Sequence, residues 1–294
     1  MIQRRSPIAW ALVACALPWL AACVSLTTDP RALVYEAPGI KVQSLHCTPA
    51  ARTALAFVPG AIARDTDALD PNAVRILMWN LHKEEDDGWE EDLTRLAQAN
   101  DVLLLQEVTL RDPVQDVLHA AGLRWILASS FMVEDIDIGV LTATRAAPVA
   151  NCTQRVVEPL LRIPKSAVIT WLPLRGKPQT LAIANVHAIN FTLTLGAYQA
   201  QLEALAEVLA AHQGPIVLGG DFNTWSVARG EALREIAARL HLVEITYADD
   251  QRAVFLGNRV DHVFVRGLDM VSSLVRPVTS SDHNPIEVVL RLAP

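Results

Sequence analysis

Two polar residues at alternate positions follow an apolar, strand-like run in the second half of the chain. The sequence Ile-Val-Leu-Gly-Gly-Asp-Phe-Asn at 216–223 contains Asp221 and Asn223. Because side chains alternate along a strand, these two point to the same side, and Phe222 points back towards the core. The glycines leave the backbone open to a metal ion or a phosphate, and the oxygen donors suit Mg²⁺. A strand that simply ends in a turn is the alternative, since Gly, Asp and Asn are common turn residues.

Polar side chains also stand at or just beyond the ends of other apolar strands. They are Asn80, Glu107, His187 with Asn190, Asp261, and Asp282 with His283. Hydrolysis of a phosphate ester needs charge neutralisation by a metal and by donor groups, because the ester is already anionic. It also needs a water held in line and a proton for the departing oxygen. These residue types suit such chemistry, provided that the fold brings them together.

Strands and helices alternate along the chain in the manner of an α/β protein. Strands are predicted at residues 73–80, 101–108, 139–144, 166–174, 180–187, 216–223, 260–265 and 286–292. Helices are predicted around residues 89–97 and over 196–212 and 229–240, from apolar residues at helical spacing. The alternation favours one α/β domain in which two sheets pack face to face.

Six motifs occur in a fixed order along the chain. They are Trp-Asn at 79–80, Gln-Glu at 106–107, Asn-x-His at 185–187, Gly-Asp-Phe-Asn at 220–223, an Asp at 261 and Ser-Asp-His at 281–283. Together they resemble the endonuclease/exonuclease/phosphatase family, which includes deoxyribonuclease I, abasic-site endonucleases and neutral sphingomyelinases. The runs PKSAVIT, VHAINF and DDQR are most similar to the YafD-like bacterial branch. The resemblance implies one domain over residues 72–294, a deoxyribonuclease I-like four-layer α/β/β/α sandwich with its site at one end of the paired sheets.

The resemblance implies a metal centre built from oxygen donors. Glu107 is the implied principal ligand of Mg²⁺, or of Mn²⁺, with Asn80 beside it and Asp282 near the same ion. Asp221 resembles the residue that orients or deprotonates the attacking water. Asn223 is implied to help hold the metal and the phosphate.

The resemblance also assigns residues to the phosphate and to the leaving group. His283 is implied to contact the scissile phosphate, with Asp261 as its carboxylate partner. His187 is implied to serve the leaving group, and Asn190 to contact the phosphate. Lys165 matches a position that carries a phosphate-binding Arg in the family.

Several of these assignments have alternatives. Asp261 could instead pair with Arg259, and Lys165 could be an ordinary solvated lysine. The acid that would support His187 is left open among Glu134, Asp135 and Asp137. His262 is excluded from the site, because neighbouring residues of a strand face opposite ways.

The resemblance implies a divalent-metal-dependent phosphodiesterase, and a nuclease is the favoured form. A phospholipid phosphodiesterase of the sphingomyelinase type is the alternative function. The formal net charge of −7 mildly favours this alternative over an enzyme that cleaves long DNA, because DNA is itself negatively charged. A non-catalytic binding lipoprotein would be expected to lose a ligand or the histidine, and every motif position is present. The expected partners are a phosphodiester substrate and a lipid bilayer, and nucleic acid is favoured over phospholipid as the substrate. The protein is expected to be a monomer.

Residues 1–22 have the pattern of an export signal. Arg4 and Arg5 precede an apolar run over 8–22, which is short for a transmembrane helix and is interrupted by Pro18. The run ends in Leu-Ala-Ala-Cys, which resembles a bacterial lipoprotein signal with Cys23 as the lipidated first residue. An ordinary secretory peptide is the alternative.

The predicted location follows from this signal. Val24 after the lipidated cysteine resembles the sequence of cargo sent to the outer membrane. We therefore expect an exported protein, lipid-anchored to the bacterial outer membrane and facing the periplasm or the cell surface. Residues 23–71 are interpreted as the lipidated Cys23, a tether and an irregular segment with one edge strand.

Two cysteines remain for a disulfide once the signal has been removed and Cys23 carries lipid. These are Cys47 and Cys152. An oxidising compartment favours a bond between them, and two separate buried thiols are the alternative.

Overall fold

The computed structural model describes residues 24–25, 31–48, 67–192 and 194–294. The predicted signal at 1–22 and Cys23 lie outside the described residues, as does part of the predicted tether. No helix within the described ranges is long and apolar enough to cross a membrane.

The described residues form strands and helices in the following order. The strands are β1 (Val24–Ser25), β2 (Ala32–Glu36), β3 (Gly39–Gln43), β4 (Val74–Asn80), β5 (Val102–Thr109), β6 (Arg124–Val133), β7 (Ile136–Thr144), β8 (Ala150–Val157), β9 (Pro164–Pro173), β10 (Thr180–His187), β11 (Ile216–Asp221), β12 (Val243–Glu244), β13 (Val254–Phe255), β14 (Asn258–Arg259), β15 (Asp261–Arg266), β16 (Leu268–Val275) and β17 (Ile286–Leu292). The helices are α1 (Trp89–Ala99), α2 (Asp112–Ala120), α3 (Gly196–Ala210) and α4 (Val227–Arg239), and a 3₁₀ turn spans His82–Glu84.

The strands are arranged in two large sheets and one small hairpin. The first sheet has the order β16-β17-β4-β5-β7-β6-β2-β3, and β1 pairs with β6 outside this path. The second has the order β12-β15-β11-β10-β9-β8, and β13 pairs with β14. The pairs β4–β5 and β10–β11 are parallel, so the carboxyl ends of these strands lie at matching edges.

The sequence of β4 shows how one strand holds three layers together. Leu77 and Trp79 point outward and pack in one apolar cluster with side chains of α1 and α2. Ile76 and Met78 point the other way and pack against inward-facing residues of the second sheet. Because both faces are covered, the strand is an almost continuous apolar run rather than an alternating one.

The outer face of the second sheet is covered by α3 and α4. Leu202 and Leu205 of α3 and Ile236 of α4 pack with Leu218 of β11 and Phe264 of β15. Helices thus cover the outer face of each sheet, and the inner faces pack against each other. The four-layer α/β/β/α sandwich predicted from the motifs is confirmed.

The structure adds elements that the sequence patterns did not indicate. The tether segment contributes the hairpin β2–β3 to the first sheet where one edge strand was expected, and β1 pairs with β6. Also new are α2, β6, β8 and β16. Strands β3 and β16 lie at the two edges of the sheet and expose many of their side chains, so they lack a buried apolar run.

Cys47 and Cys152 form a disulfide, which links the segment after β3 to β8. The backbone carbonyl of Leu45 accepts a hydrogen bond from the N–H of Thr153, so the two segments are also joined next to the disulfide. The N-terminal segment is therefore attached to both sheets.

Candidate active site

The polar residues that follow the apolar strands lie at one end of both sheets. The parallel pairing of β4 with β5 ends at Asn80 and Gln106. In the other sheet, β10 and β11 end at the paired residues His187 and Asp221. β15 runs the opposite way and begins with Asp261 opposite Asp221. These strand ends deliver carboxylate, amide and imidazole groups to the same edge.

Gly220 allows β10 and β11 to stay paired as far as the site. A Cβ at this position would lie 2.0 Å from the carbonyl oxygen of Val186, and φ is +147°. An L-residue would therefore push the strands apart just before His187 and Asp221. Asn223 follows with φ of 49°, a left-handed conformation that turns the chain out of the strand.

A bulge in β5 turns Glu107 towards the site. The register of the β5–β7 pair shifts between Leu105 and Val108, and Glu107 has φ of 53°. An inserted residue of this kind leaves the ladder and redirects its side chain. The carboxylate therefore points into the cleft although its neighbours lie in a buried strand.

The site residues surround one cleft of about 220 Å³. It is lined by Glu107, His187, Asn190, Asp221, Asn223, Ala253, Val254, Phe255, Val260, Asp282 and His283. Glu107, Asp221 and Asp282 are therefore not on separate surfaces, although they are far apart in the sequence. Asn80 reaches the same place through its contact with Asp221.

Asp221 is held by hydrogen bonds on both carboxylate oxygens. Its Oδ2 accepts from Asn80 Nδ2 at 3.1 Å, and its Oδ1 accepts from the backbone N–H of Asn223 at 2.9 Å. His187 Nε2 lies 3.5 Å from the same Oδ2. The carboxylate is buried and has a single fixed orientation, which suits a group that positions a water molecule.

His283 and Asp261 form a buried pair. Nδ1 of His283 is 2.7 Å from Oδ2 of Asp261, and the main chain of His283 is held by Trp79 Nε1 at 2.9 Å. Burial lowers the pKa of His283, but the charge of Asp261 and its hydrogen bond outweigh this and raise it to about 10. Arg259 pairs with Asp250 instead, so the alternative partner for Asp261 is wrong.

Two lysines compensate the charge of Glu107. Lys83 Nζ is 2.7 Å from Oε2, and Lys165 Nζ is 4.0 Å from Oε1. Burial raises the pKa of Glu107, but the nearby charges of His187 and both lysines lower it to about 2. The role of Lys83 could not be predicted from the sequence. The residue lies on the 3₁₀ turn with φ of 56°, where no periodic pattern indicates which way its side chain points.

His187 contacts Lys165 rather than an acid of the β6–β7 turn. Lys165 Nζ lies 2.8 Å from Nε2 of His187, and burial followed by the lysine charge lowers the pKa of His187 to about 4. Nε2 of the neutral ring therefore accepts a hydrogen bond from the ammonium. Among the described contacts, none joins His187 to Glu134, Asp135 or Asp137, and Asp137 pairs with Arg31. All three proposed supporting acids are therefore wrong.

Asn190 and Asn223 lie on two loops that Arg229 of α4 holds together. Its guanidinium donates to the carbonyls of Ile189, Asn190 and Asn223 at 2.6–3.0 Å, and it lies over the Trp225 ring. The side-chain amide of Asn223 donates to the carbonyl of Ala188 at 3.0 Å. Nothing in the sequence marks Arg229, because an arginine in a helix is usually solvated.

His262 and His212, two histidines outside the predicted set, are occupied elsewhere. His262 Nδ1 is 2.7 Å from Glu244, and its Nε2 is 2.7 Å from Thr224 Oγ1. His212 is buried with Nε2 3.1 Å from the carbonyl of Thr180. Excluding His262 from the site therefore agrees with its contacts.

The donors of the cleft fit a divalent cation. Asp221, Asp261 and His283 each offer a ligand atom, and these atoms lie within 4.8 Å of one another. A protonated His283 has no lone pair for a metal, so carboxylates are the better ligands here. Asp261 Oδ1 is buried and has no hydrogen-bond partner among the described residues. Exposed Asp282 adds a carboxylate whose Oδ1 lies 3.9 Å from His283 Nε2 and 3.9 Å from His82 Nδ1. Asn80 turns its amide nitrogen towards Asp221, and its oxygen accepts from the N–H of His82.

The sandwich carries an acidic cleft at one end of its paired sheets. Residues 78–283 match the model of the Endonuclease/Exonuclease/phosphatase family. The chain belongs to this family, whose members are hydrolases that act on phosphoester bonds.

Relatives and solved structures agree with this assignment. The chain is 35% identical over 220 residues to a UPF0294 protein of Photorhabdus laumondii, covering 74% of this chain and 83% of the relative. It is 36% identical over 222 residues to a UPF0294 protein of Vibrio campbellii, and the match covers 74% of this chain and 78% of the relative. The human Nocturnin catalytic domain has the same fold, with a TM-score of 0.61 and 18% identity. The match covers 77% of this chain and 96% of the Nocturnin chain. A mannosyl-6-phosphatase of Bacteroides thetaiotaomicron also has this fold, with a TM-score of 0.58 and 17% identity. The match covers 74% of this chain and 99% of the phosphatase chain.

Proposed function

We propose that this protein is a divalent-metal-dependent phosphodiester hydrolase. The observation that carries the proposal is the single cleft in which Glu107, Asp221 and Asp282 meet the His283–Asp261 pair. A non-catalytic lipoprotein on the same fold would be expected to lose a metal ligand or the histidine, and every motif position is present in this chain.

Asp221 holds the attacking water in this proposal. Hydrogen bonds from Asn80 and from the backbone of Asn223 orient its carboxylate, so its remaining lone pairs can accept a proton of the water. Proton removal of this kind contributes about 10²–10⁴-fold to the rate.

His283 binds a non-bridging oxygen of the phosphate. Because Asp261 takes the hydrogen of Nδ1, the hydrogen on Nε2 is left to donate into the cleft. The fixed positive charge stabilises the additional negative charge of the transition state.

Lys165 and His187 serve the leaving oxygen together. The buried ammonium lies against the neutral ring, so a proton can pass from this pair to the departing oxygen. Asn190 and Asn223 line the same cleft and contribute amide groups to the phosphate.

Glu107, Asp282, Asp221 and the oxygen of Asn80 would hold Mg²⁺ or Mn²⁺. When bound, the ion neutralises phosphate charge and lowers the pKa of a bound water. Ligation by Asn80 requires its amide to turn so that the oxygen faces the cleft.

The substrate panel that tests the proposal uses the purified protein with Mg²⁺. The panel contains plasmid DNA, single-stranded DNA, RNA, sphingomyelin, a bacterial phospholipid and bis(p-nitrophenyl) phosphate. We expect hydrolysis of the bis-aryl ester and its loss in Asp221→Asn. Hydrolysis of none of these esters, or equal rates in the variant, would contradict the proposal.

The cellular setting is proposed from the sequence. We propose that export and lipidation at Cys23 attach the enzyme to the outer membrane. Palmitate labelling of the wild-type chain, lost in Cys23→Ser, tests the anchor independently of catalysis.

A further inference from the structure

We propose that the mouth of the active site docks on a lipid bilayer, and that the phosphate ester it cleaves is carried by a membrane lipid. The inference rests on the proposed phosphodiesterase function and adds the class of substrate to it. Four features carry it: an apolar cleft beside the acidic one, an apolar loop tip at that cleft, an apolar hairpin that lines the acidic cleft, and the position of the N-terminal strand.

A second cleft of about 200 Å³ adjoins the acidic one. The two share Glu107, His187 and Asn190. The rest of the second cleft is largely apolar and includes Phe131, Ile138, Leu161, Ile163, Pro164 and Phe191. A group esterified to a phosphate at His187 would therefore extend over aliphatic and aromatic side chains.

The loop between β8 and β9 presents an apolar tip beside this cleft. Leu160 is 48% exposed and Leu161 is 53% exposed, and Arg162 next to them is also exposed. Glu158, the acid of this loop, is buried and accepts the backbone N–H of Asn190 at 2.6 Å. The loop thus offers leucines and one cation to its surroundings, which suits the boundary between acyl chains and phosphate headgroups.

The β13–β14 hairpin carries a matching apolar surface. Val254, Phe255 and Leu256 are 53%, 54% and 71% exposed, and the first two line the acidic cleft. Single exposed apolar residues are common on soluble proteins. Here they occur on separate chain segments around the mouth of one site, and such clusters mark interaction surfaces.

The N-terminal strand reaches the same end of the molecule. Val24 pairs with Val133 and Ser25 with Met132, next to Phe131 of the apolar cleft. Cys23 directly precedes Val24 in the sequence. A lipid on Cys23 would therefore hold the end of the sheets that carries the site against the bilayer, with almost no length of tether between them.

The charges around the clefts favour a lipid over a nucleic acid. Lys83 and Lys165, the lysines of the apolar cleft, both face Glu107, so much of their charge is compensated within the protein. A surface that tracks a nucleic-acid backbone needs uncompensated cations along its length. Among the described residues, the rims of this mouth instead carry leucine, valine and phenylalanine, with Arg162 as an exposed cation.

Docking can be measured without any turnover. Leu160→Cys and, as a matched control, Val271→Cys on the exposed bulge of β16 would each be labelled with an environment-sensitive NBD probe in the full-length protein. In vesicles of phosphatidylethanolamine and phosphatidylglycerol, we expect a blue-shifted emission at position 160 that spin-labelled lipids quench, and no shift at 271. Equal emission at both positions would overturn the docking.

The substrate class is tested by comparing two rates in the same preparation. One is the release of phospholipid headgroups from vesicles, and the other is the hydrolysis of soluble bis(p-nitrophenyl) phosphate. In the double variant Leu160→Glu and Leu161→Glu, the ratio of the first rate to the second should fall about tenfold or more, because two apolar contacts with the bilayer are lost. Val271→Glu should leave the ratio unchanged.

Two results would overturn the lipid inference: an unchanged ratio in the double variant, or cleavage of plasmid DNA with no release from vesicles. Loss of hydrolysis of every ester, including the bis-aryl one, would overturn the proposed function instead. In that case the NBD emission at position 160 would still decide whether the mouth docks on the membrane.

Discussion

At the scale of single residues, the buried pair of His283 and Asp261 affects catalysis and stability in different ways. The two side chains meet at 2.7 Å, and Asp261 is almost completely buried. An imidazolium beside a carboxylate in a buried place keeps its proton at neutral pH. The same pair would leave an uncompensated charge if one partner were removed.

Replacing His283 should therefore affect rate and stability in different ways. We expect His283→Ala to lower kcat by about 10²–10⁴-fold and to destabilise the fold by about 3–5 kcal/mol, since Asp261 loses its partner. The double variant His283→Ala with Asp261→Asn should recover stability but not rate. Steady-state kinetics and urea unfolding measure the two effects, with exposed His241→Ala as the control. Activity of His283→Ala within about tenfold of wild type would contradict its assigned role.

Glu84 makes stability depend on pH. Its carboxylate accepts the backbone N–H of Thr109 at 3.1 Å, and burial, which outweighs this bond, raises its pKa from 4.5 to about 7. The folded state therefore binds the proton more tightly than the unfolded state. Its contribution to stability is fully present below pH 4.5 and is lost as the pH rises through about 7.

Glu84→Gln should remove this dependence, because glutamine keeps an acceptor for Thr109 without the charge. We expect the variant to gain about 3 kcal/mol relative to wild type above about pH 8. The free energy of unfolding in urea, measured at about pH 5 and pH 8, checks this, with exposed Glu90→Gln as the control. A variant no more stable than wild type at the higher pH would show that the carboxylate does not resist ionisation.

At the scale of elements, the parallel pair β10–β11 positions His187 beside Asp221. This pairing depends on Gly220, where a Cβ would meet the carbonyl oxygen of Val186 at 2.0 Å. We expect Gly220→Ala to destabilise the protein by about 3 kcal/mol or more and to lower activity in the fraction that folds. Gly39→Ala, which has open space around its Cβ, should change neither quantity by a comparable amount.

Thermal unfolding and activity per folded molecule distinguish this effect from a general loss of protein. If Gly220→Ala kept wild-type stability, the two strands would have to tolerate a wider spacing than the structure shows. The role of the glycine in holding the strand ends together would then be wrong.

The elements that the sequence indicated are those with buried apolar runs. Strands β4, β5, β10 and β11 are almost wholly buried, and their predicted bounds agree with the structure to within a residue or two. Strand β16 at the edge mixes exposed and buried positions, so its pattern is weak. Lys83 could not be predicted, because a left-handed turn rather than a period directs it to Glu107.

At the scale of the whole molecule, the order of the motifs was more informative than any one of them. Each motif lies at or close to the end of a strand, and two sheets packed face to face bring those ends to one edge. The ligand directions could not be predicted, because they depend on local turns. Asn80 directs its nitrogen at Asp221, and His187 meets Lys165 rather than an acid of the β6–β7 turn.

The same cleft concentrates negative charge. Glu107, Asp221, Asp261 and Asp282 approach one another, and their described counter-charges are Lys83, Lys165 and His283. A divalent cation would complete the neutralisation when a phosphate enters. Turnover should therefore depend on such a cation.

The most direct test of that requirement is the rate of bis(p-nitrophenyl) phosphate hydrolysis before and after chelation. Protein treated with EDTA and freed of it should hydrolyse the ester at the uncatalysed rate, and added Mg²⁺ or Mn²⁺ should restore turnover. Asp282→Asn should need a higher metal concentration for half-maximal rate. Undiminished hydrolysis in the presence of excess chelator would contradict the account.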